Sequence, residues 1–207
     1  MDVTIIGTGN MARGIGTRVV AGGHPLTVLG VDGSNAEALA RELGGETRAG
    51  VVGDPISGDV VVLAVWYPVS REVVERYGSQ LDGKVVVDIS NPLDVQTFEP
   101  VLPDAGSGAQ EVAAAAPGAK VVKAFNTTFA GTLVPGEVGG HPLDVLLASD
   151  DDEAKRTVAQ LVEDAGLRAV DAGPLRRAHQ LEALGYLHIA LQEQLGTGYA
   201  SSVKILA

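Results

Sequence analysis

A doubly wound α/β fold, with helices on both faces of a parallel sheet and a small C-terminal α/β lobe, is predicted by three observations. Short apolar runs alternate with helical stretches along the chain, the order that builds a parallel sheet. Asp59-Val60-Val61-Val62-Leu63-Ala64-Val65 is continuously apolar and β-branched after its first residue, as a strand buried on both faces requires. The chain opens on Val3-Thr4-Ile5-Ile6, meets Gly7-Thr8-Gly9 and enters an apolar helix at Asn10, the strand–turn–helix order of a dinucleotide fingerprint.

In that opening unit Gly7 permits the tight turn. Gly9 has no Cβ, so its backbone can approach a pyrophosphate, and Ala12 is small enough to let the helix lie close on the strand. The first N–H groups of a helix are unpaired and carry partial positive charge, which stabilises a phosphate there.

The first helix ends at Ala21-Gly22-Gly23-His24-Pro25, a glycine stop followed by proline. Leu26-Thr27-Val28-Leu29 is the second strand. Gly30-Val31-Asp32-Gly33-Ser34 is a loop, with Ser34 as the expected N-cap of a helix from Asn35 to Leu43. A short strand is expected near Thr47-Arg48-Ala49, and the buried strand at 59–65 follows. Pro68 starts a helix to about Tyr77, and Lys84 to Ile89 is the next strand. A helix from Gly108 to Ala116 and a strand from Ala119 to Phe125 complete the dinucleotide-binding unit, residues 1–130. Residues 131–207 are expected to form the lobe that closes the cleft. It begins with a loop from Gly131 to Pro142 and a strand from Leu143 to Ala148. A helix from the Asp150–Asp152 run to Ala165 and a strand from Leu167 to Ala172 follow. The three acids suit a positive helix end and a solvated face rather than a metal site. A last helix from Leu175 to about Leu195 carries Leu181, Leu184, Leu187, His188 and Leu191 along one side.

Of 207 residues, 45% are hydrophobic and 20% charged, as in a globular protein with a full core. The 15 basic and 26 acidic residues leave a formal charge of −11, a field that disfavours nucleic acid and anionic membranes. No run is long enough to cross a bilayer, and the acid at position 2 does not fit a secretory leader, so a cytoplasmic protein is expected. Cysteine is absent, which excludes disulfides, thiol catalysis and Cys-ligated zinc or iron–sulfur clusters from this chain.

Three strand ends carry unusual punctuation: Trp66-Tyr67-Pro68, Ser90-Asn91-Pro92 and Asn126-Thr127-Thr128. The fold places all three at the carboxyl edge beside Gly7 to Met11, where ligands of doubly wound sheets bind. Zincin, serine-hydrolase and P-loop motifs are missing. His24 and His141 precede proline and read as turn residues, while His188 reads as a core or pocket-wall histidine. No Lys–Asp or Tyr–Lys pair stands out, so no catalytic side chain and no metal ligand are assigned. This suits direct hydride transfer between two bound rings that the protein aligns.

The segments Ile5 to Ala12, Ala64 to Tyr67, Asp88 to Pro92 and Val121 to Asn126 together resemble the coenzyme F420-dependent NADP oxidoreductase family. The same superfamily includes the cytoplasmic domains of metalloreductases. The resemblance implies a Rossmann domain with a small C-terminal lobe, NADP(H) along the strand ends, and a deazaflavin (F420) or flavin in the cleft. Hydride then passes between nicotinamide C4 and deazaflavin C5. Carried over, Thr8, Gly9, Asn10 and Met11 hold the pyrophosphate, with Gly7 shaping the turn. Ala64, Val65, Trp66 and Tyr67 flank the adenosine and ribose. Ser90, Asn91 and Pro92, with Ala124, Phe125 and Asn126, border the nicotinamide and its acceptor.

One departure is plain. NADP-preferring members place a polar–basic pair after the second strand, whereas Gly30, Val31, Asp32 and Ser34 stand here. Asp32 repels a 2′-phosphate and suits a ribose 2′-OH, as in NAD sites. Ser34, the loop N–H groups and Arg13 or Arg48 are the candidates for holding a phosphate. NADP(H) is therefore expected from the resemblance alone, with NAD(H) admitted by Asp32. Two other readings share the opening motif: an imine or pyrroline-5-carboxylate reductase, whose long helical dimerisation domain finds no counterpart here, and a non-catalytic NAD(P) sensor. A homodimer is expected, covering the apolar side of the last helix.

Overall fold

The computed structural model describes residues 1–206. Its centre is an eight-stranded sheet. In chain order the first elements are β1 (Val3–Ile6), α1 (Asn10–Ala21), β2 (Leu26–Gly30), α2 (Gly33–Leu43), β3 (Thr47–Val51), β4 (Val60–Leu63) and α3 (Tyr67–Tyr77). They are followed by β5 (Val85–Asp88), α4 (Gly108–Ala115), β6 (Lys120–Lys123), α5 (Ala130–Leu133), β7 (Glu137–Val138) and β8 (His141–Pro142). The chain finishes with β9 (Asp144–Ala148), α6 (Asp152–Asp164), β10 (Arg168–Gly173), α7 (Ala178–Ala190) and α8 (Gln192–Leu195). Strand order is β10-β9-β6-β5-β4-β1-β2-β3, the Rossmann arrangement extended by two strands. β3, β2, β1, β4, β5 and β6 are mutually parallel. β9 meets β6 antiparallel through Lys123 and Ala148, and β10 runs parallel to β9.

Strand alternation divides the core between the two faces. Ile5, Val60, Val62, Val85, Val87 and Val122 pack with Ala12, Ile15, Leu39, Val158 and Leu161 of α1, α2 and α6. Ile6, Val61, Leu63, Val86 and Val121 pack with Val73, Val74, Ala109 and Val112 of α3 and α4. β1, β4 and β5 are buried along their whole length, which is why their sequences lack polar alternation.

Several boundaries differ from expectation. Asp32, not Ser34, caps α2: its carboxylate accepts from the Ser34 N–H at 2.8 Å. Both residue types cap well, and the fold chooses the one at the end of β2. The expected loop 131–142 contains the end of α5 and a two-residue hairpin, β7–β8. The last helix is a 3₁₀ turn, α7 and α8 in succession rather than one rod. Its buried face is Leu181, Glu182, Gly185, His188 and Gln192, whereas Leu187 stands 53% exposed. Of the expected side, Leu181 and His188 are buried and Leu184 packs against the Leu181 cluster, while Leu187 turns outward.

Candidate functional site

The Gly7–Gly9 turn is shaped by close approach. Gly7 has φ +124°, and a Cβ there would sit 2.3 Å from the Ala64 carbonyl oxygen at the end of β4. Gly9 caps α1 with no side-chain hydrogen bond, and no acid lies in the first turn, so the helix presents its N–H groups unblocked. A Cβ on Gly9 would meet nothing within 4 Å; it points into open space. Gly30 is held small by Thr8 and the Asp32 carbonyl, 2.9 and 2.8 Å from where its Cβ would lie.

Two cavities meet at this turn and share Gly9, Ala64, Val65 and Trp66. The first, about 700 Å³, runs toward the end of β2 past Gly7, Thr8, Val31 and Asp32, with Asn35, Val52, Val69 and Val73 on its walls. Its charged side chains are Asp32, Glu72 and Arg76. The second, about 620 Å³, runs the other way past Asn10, Met11 and Tyr67 to Ser90, Asn91 and Asn126. Phe98, Phe129 and Tyr199 add aromatic walls. Together they form a channel along the carboxyl edge of β1, β2, β4, β5 and β6, where doubly wound folds bind dinucleotides.

The polar end of the second cavity is tightly built. The Asn126 amide donates to Asn91 Oδ1 at 2.9 Å and to the Leu181 carbonyl at 2.7 Å, and the Asn91 amide donates to the Asn126 carbonyl at 2.9 Å. Both donations run through the Asn126 nitrogen and leave its oxygen free of them. That oxygen and the Ser90 hydroxyl are buried with no hydrogen-bond partner, and both residues line the cavity. Buried polar atoms are normally paired, and these two are the unpaired ones at the cavity. Gly185 of α7 lies over the pair; a Cβ there would come within 2.7 Å of Asn91 Oδ1.

Behind this end sits a cluster that sequence reasoning missed. Lys123, with no exposed surface, donates to Asp88 at 2.7 Å, to Glu182 at 2.8 Å and to the Ser90 carbonyl. Glu182 also accepts from the Gly108 and Ala109 N–H groups at the start of α4. Burial pushes the Glu182 carboxyl up, and Lys123 pulls the other way. Lys123, Asp88 and Glu182 line neither cavity, although Lys123 holds the Ser90 carbonyl behind the second; the cluster ties α7 and α4 to β5 and β6. Its visible signal is a lysine within the apolar run Val121 to Phe125, and its partner follows from the β5–β6 register, which sets Lys123 beside Asp88.

Tyr67 donates to Glu111 at 2.7 Å, and burial with that acid raises its phenol above the ordinary tyrosine value. His188 is buried, stacked on Phe129 at 4.2 Å, and hydrogen-bonded to the Thr127 carbonyl and the Ser201 hydroxyl. It lines neither cavity but sits behind Phe129, which lines the second, and is held there by the C-terminal segment. Burial lowers its pKa.

Of the residues singled out in the sequence, Gly7, Thr8, Gly9, Asn10, Met11, Val31, Asp32, Ala64, Val65, Trp66, Tyr67, Ser90, Asn91 and Asn126 line the channel. Gly30, Ser34, Pro92, Ala124 and Phe125 do not line it, and Ser34 is exposed at the start of α2. Ala124 and Phe125 are core, the latter in the left-handed region at φ +60°. Neither Arg13, paired with Glu42 at 2.7 Å, nor Arg48 lines it; Arg76 is the arginine that does. The sequence reading missed Phe98, Phe129, Tyr199, Arg76 and Glu72. No group of three or more metal-ligating side chains and no helix able to span a membrane occurs among the described residues.

The fold is a Rossmann fold with two adjoining cavities along the carboxyl edge of its sheet. Residues 2–92 match the family model described as NADP oxidoreductase, coenzyme F420-dependent. The chain is 32% identical to the F420-dependent NADP reductase of Methanocaldococcus jannaschii, covering 68% of this chain and 66% of that one. It is 32% identical to the rat metalloreductase STEAP3 over 88% of this chain and 36% of that protein, so it spans about a third of that relative's length. A crystal structure from Arthrobacter sp. FB24, described provisionally as an F420-dependent NADP reductase, superposes over the full length of both chains with TM-score 0.88 at 28% identity. Residues 2–92 of the chain are thus similar to the coenzyme F420-dependent NADP oxidoreductase family.

Proposed function

We propose that the protein carries hydride between a nicotinamide dinucleotide and a deazaflavin, F420, or a flavin. The observation that supports this most is the continuous channel through Gly9, Ala64, Val65 and Trp66, with its two unpartnered buried polar atoms at one end. The nicotinamide supplies the hydride. The protein's own part is alignment. The α1 N–H groups and Gly7 to Met11 hold the pyrophosphate. Ser90 and Asn126 offer a hydroxyl and an amide oxygen to the carboxamide, which fixes which ring face is presented. Trp66, Phe98, Phe129 and Tyr199 wall an apolar slot for the second ring. Reduction of the acceptor takes up one proton with the hydride, and solvent at the open mouth of the cleft supplies it; Tyr67, raised by burial and by its Glu111 partner, is not poised to donate it.

In this reading residues 131–207 close the cleft, with α7 laid across the strand ends and Tyr199 at its mouth. A homodimer covers the exposed Leu187 and Leu195. A purely monomeric sedimentation profile contradicts the dimer. Mixing the protein with reduced dinucleotide and F420, and following the deazaflavin absorbance, tests the reaction. Exchange with neither F420 nor a free flavin rejects it; tight dinucleotide binding without any turnover points instead to a sensor.

A further inference from the structure

We propose that Asp32 sets the choice of dinucleotide, taking the ribose 2′-hydroxyl of NAD(H) and turning away the 2′-phosphate of NADP(H). This rests on the dinucleotide reading of the channel and goes beyond it, since the family that residues 2–92 match is described by NADP.

Asp32 stands at the end of β2 and lines the cavity that runs from Gly7 and Thr8. In a doubly wound fold this is where an acid meets the adenosine ribose. Its Oδ1 accepts from the Ser34 N–H at 2.8 Å and from the Ser34 hydroxyl at 2.7 Å. These bonds favour the ionised carboxylate and hold it below the usual aspartate range. Two consequences follow for a 2′-phosphate. The N-terminus of α2, the anion-binding group nearest the ribose, is already filled by the protein's own carboxylate. The Ser34 hydroxyl donates to Asp32 and is not spare for a phosphate oxygen.

The other charges of this cavity do not reverse the sign. Arg76 enters from α3, but Glu72 lies one turn earlier on the same helix and lines the same wall. With Asp32 the cavity carries two acids to one base. Arg13 is engaged by Glu42 and by Asn10, and Arg48 does not reach the cavity. A dianionic phosphate would face a fixed carboxylate with no dedicated cation, whereas a 2′-hydroxyl finds in Asp32 Oδ2 an acceptor.

Calorimetry on the full chain with ADP-ribose and 2′-phospho-ADP-ribose, then with NADH and NADPH, tests this without any hydride acceptor. The unphosphorylated member of each pair should bind at least tenfold more tightly. Asp32→Asn keeps an oxygen for the α2 cap but removes the charge, and should shrink that ratio at least tenfold; Asp32→Ser, also a good cap, should act the same way. Equal or tighter binding of the phosphorylated members, or an unchanged ratio in both variants, overturns the proposal and leaves the dinucleotide site standing. Binding of neither pair overturns both.

Discussion

Replacing Lys123 with methionine is expected to destabilise the protein by about 3–5 kcal/mol, the range for breaking a buried ion pair from one side. The magnitude follows from what is left behind. Lys123 and Asp88 have no exposed surface and Glu182 is 6% exposed. The ammonium satisfies both carboxylates and the Ser90 carbonyl at once. Methionine fills most of the volume but leaves two buried carboxylates facing one another, and the two α4 N–H groups relieve only Glu182. For a domain of this size about 2–4 °C is lost per kcal/mol, so the melting point should fall by about 6–20 °C. Glu182→Gln is the control. Burial already favours the neutral form of Glu182, and the Lys123–Asp88 pair survives, so its cost should be nearer ~1 kcal/mol, that of a single hydrogen bond. Urea unfolding followed by far-ultraviolet circular dichroism at neutral pH measures both. A loss below about 1 kcal/mol for Lys123→Met, or a larger loss for Glu182→Gln, would refute the view that this cluster clamps α7 to the sheet.

Three further outcomes are expected. Gly185→Ala forces a methyl to within 2.7–2.9 Å of Asn91 and of the Asn126 carbonyl; overpacking of about 1–3 kcal/mol should appear in the melting curve together with weaker dinucleotide binding. Ser90→Ala removes a buried hydroxyl without a protein partner, so stability should hold or rise while dinucleotide Kd increases about tenfold, or ~1.4 kcal/mol, by calorimetry. His188 has a pKa lowered first by burial; its contribution to stability is therefore full above its ordinary value near 6.5 and is lost as pH falls through the folded value. The loss of unfolding free energy between neutral pH and pH 5 should be smaller in His188→Gln than in the parent.

Much of the scaffold is legible in the chain because parallel strands buried on both faces must be apolar throughout. Val60 to Leu63 and Val85 to Val87 therefore announce themselves, and helices are punctuated by glycine and proline. Other features depend on which elements meet. The side carrying Leu181, Leu184, Leu187, His188 and Leu191 suggests one packed face; Leu181 and His188 are buried as it implies, but Leu187 is exposed and Glu182 and Gly185 turn inward because α7 lies on the polar ends of β5 and β6. Phe129 and Tyr199 wall the same slot although seventy positions separate them.

By itself, then, the order of residues determined the β1–turn–α1 unit, the strands of the nucleotide half and the polar strand ends at 66, 90 and 126. Each follows from local constraint: a glycine where backbones approach, an apolar run where water is excluded. The folded molecule decided the rest. It paired Lys123 with Asp88 and Glu182, joined β9 to β6, spent Ser34 on Asp32 and brought Arg76, not Arg13 or Arg48, into the channel. Those outcomes turn on register and helix placement, which arise from long-range packing and leave no periodic mark in any short window of sequence.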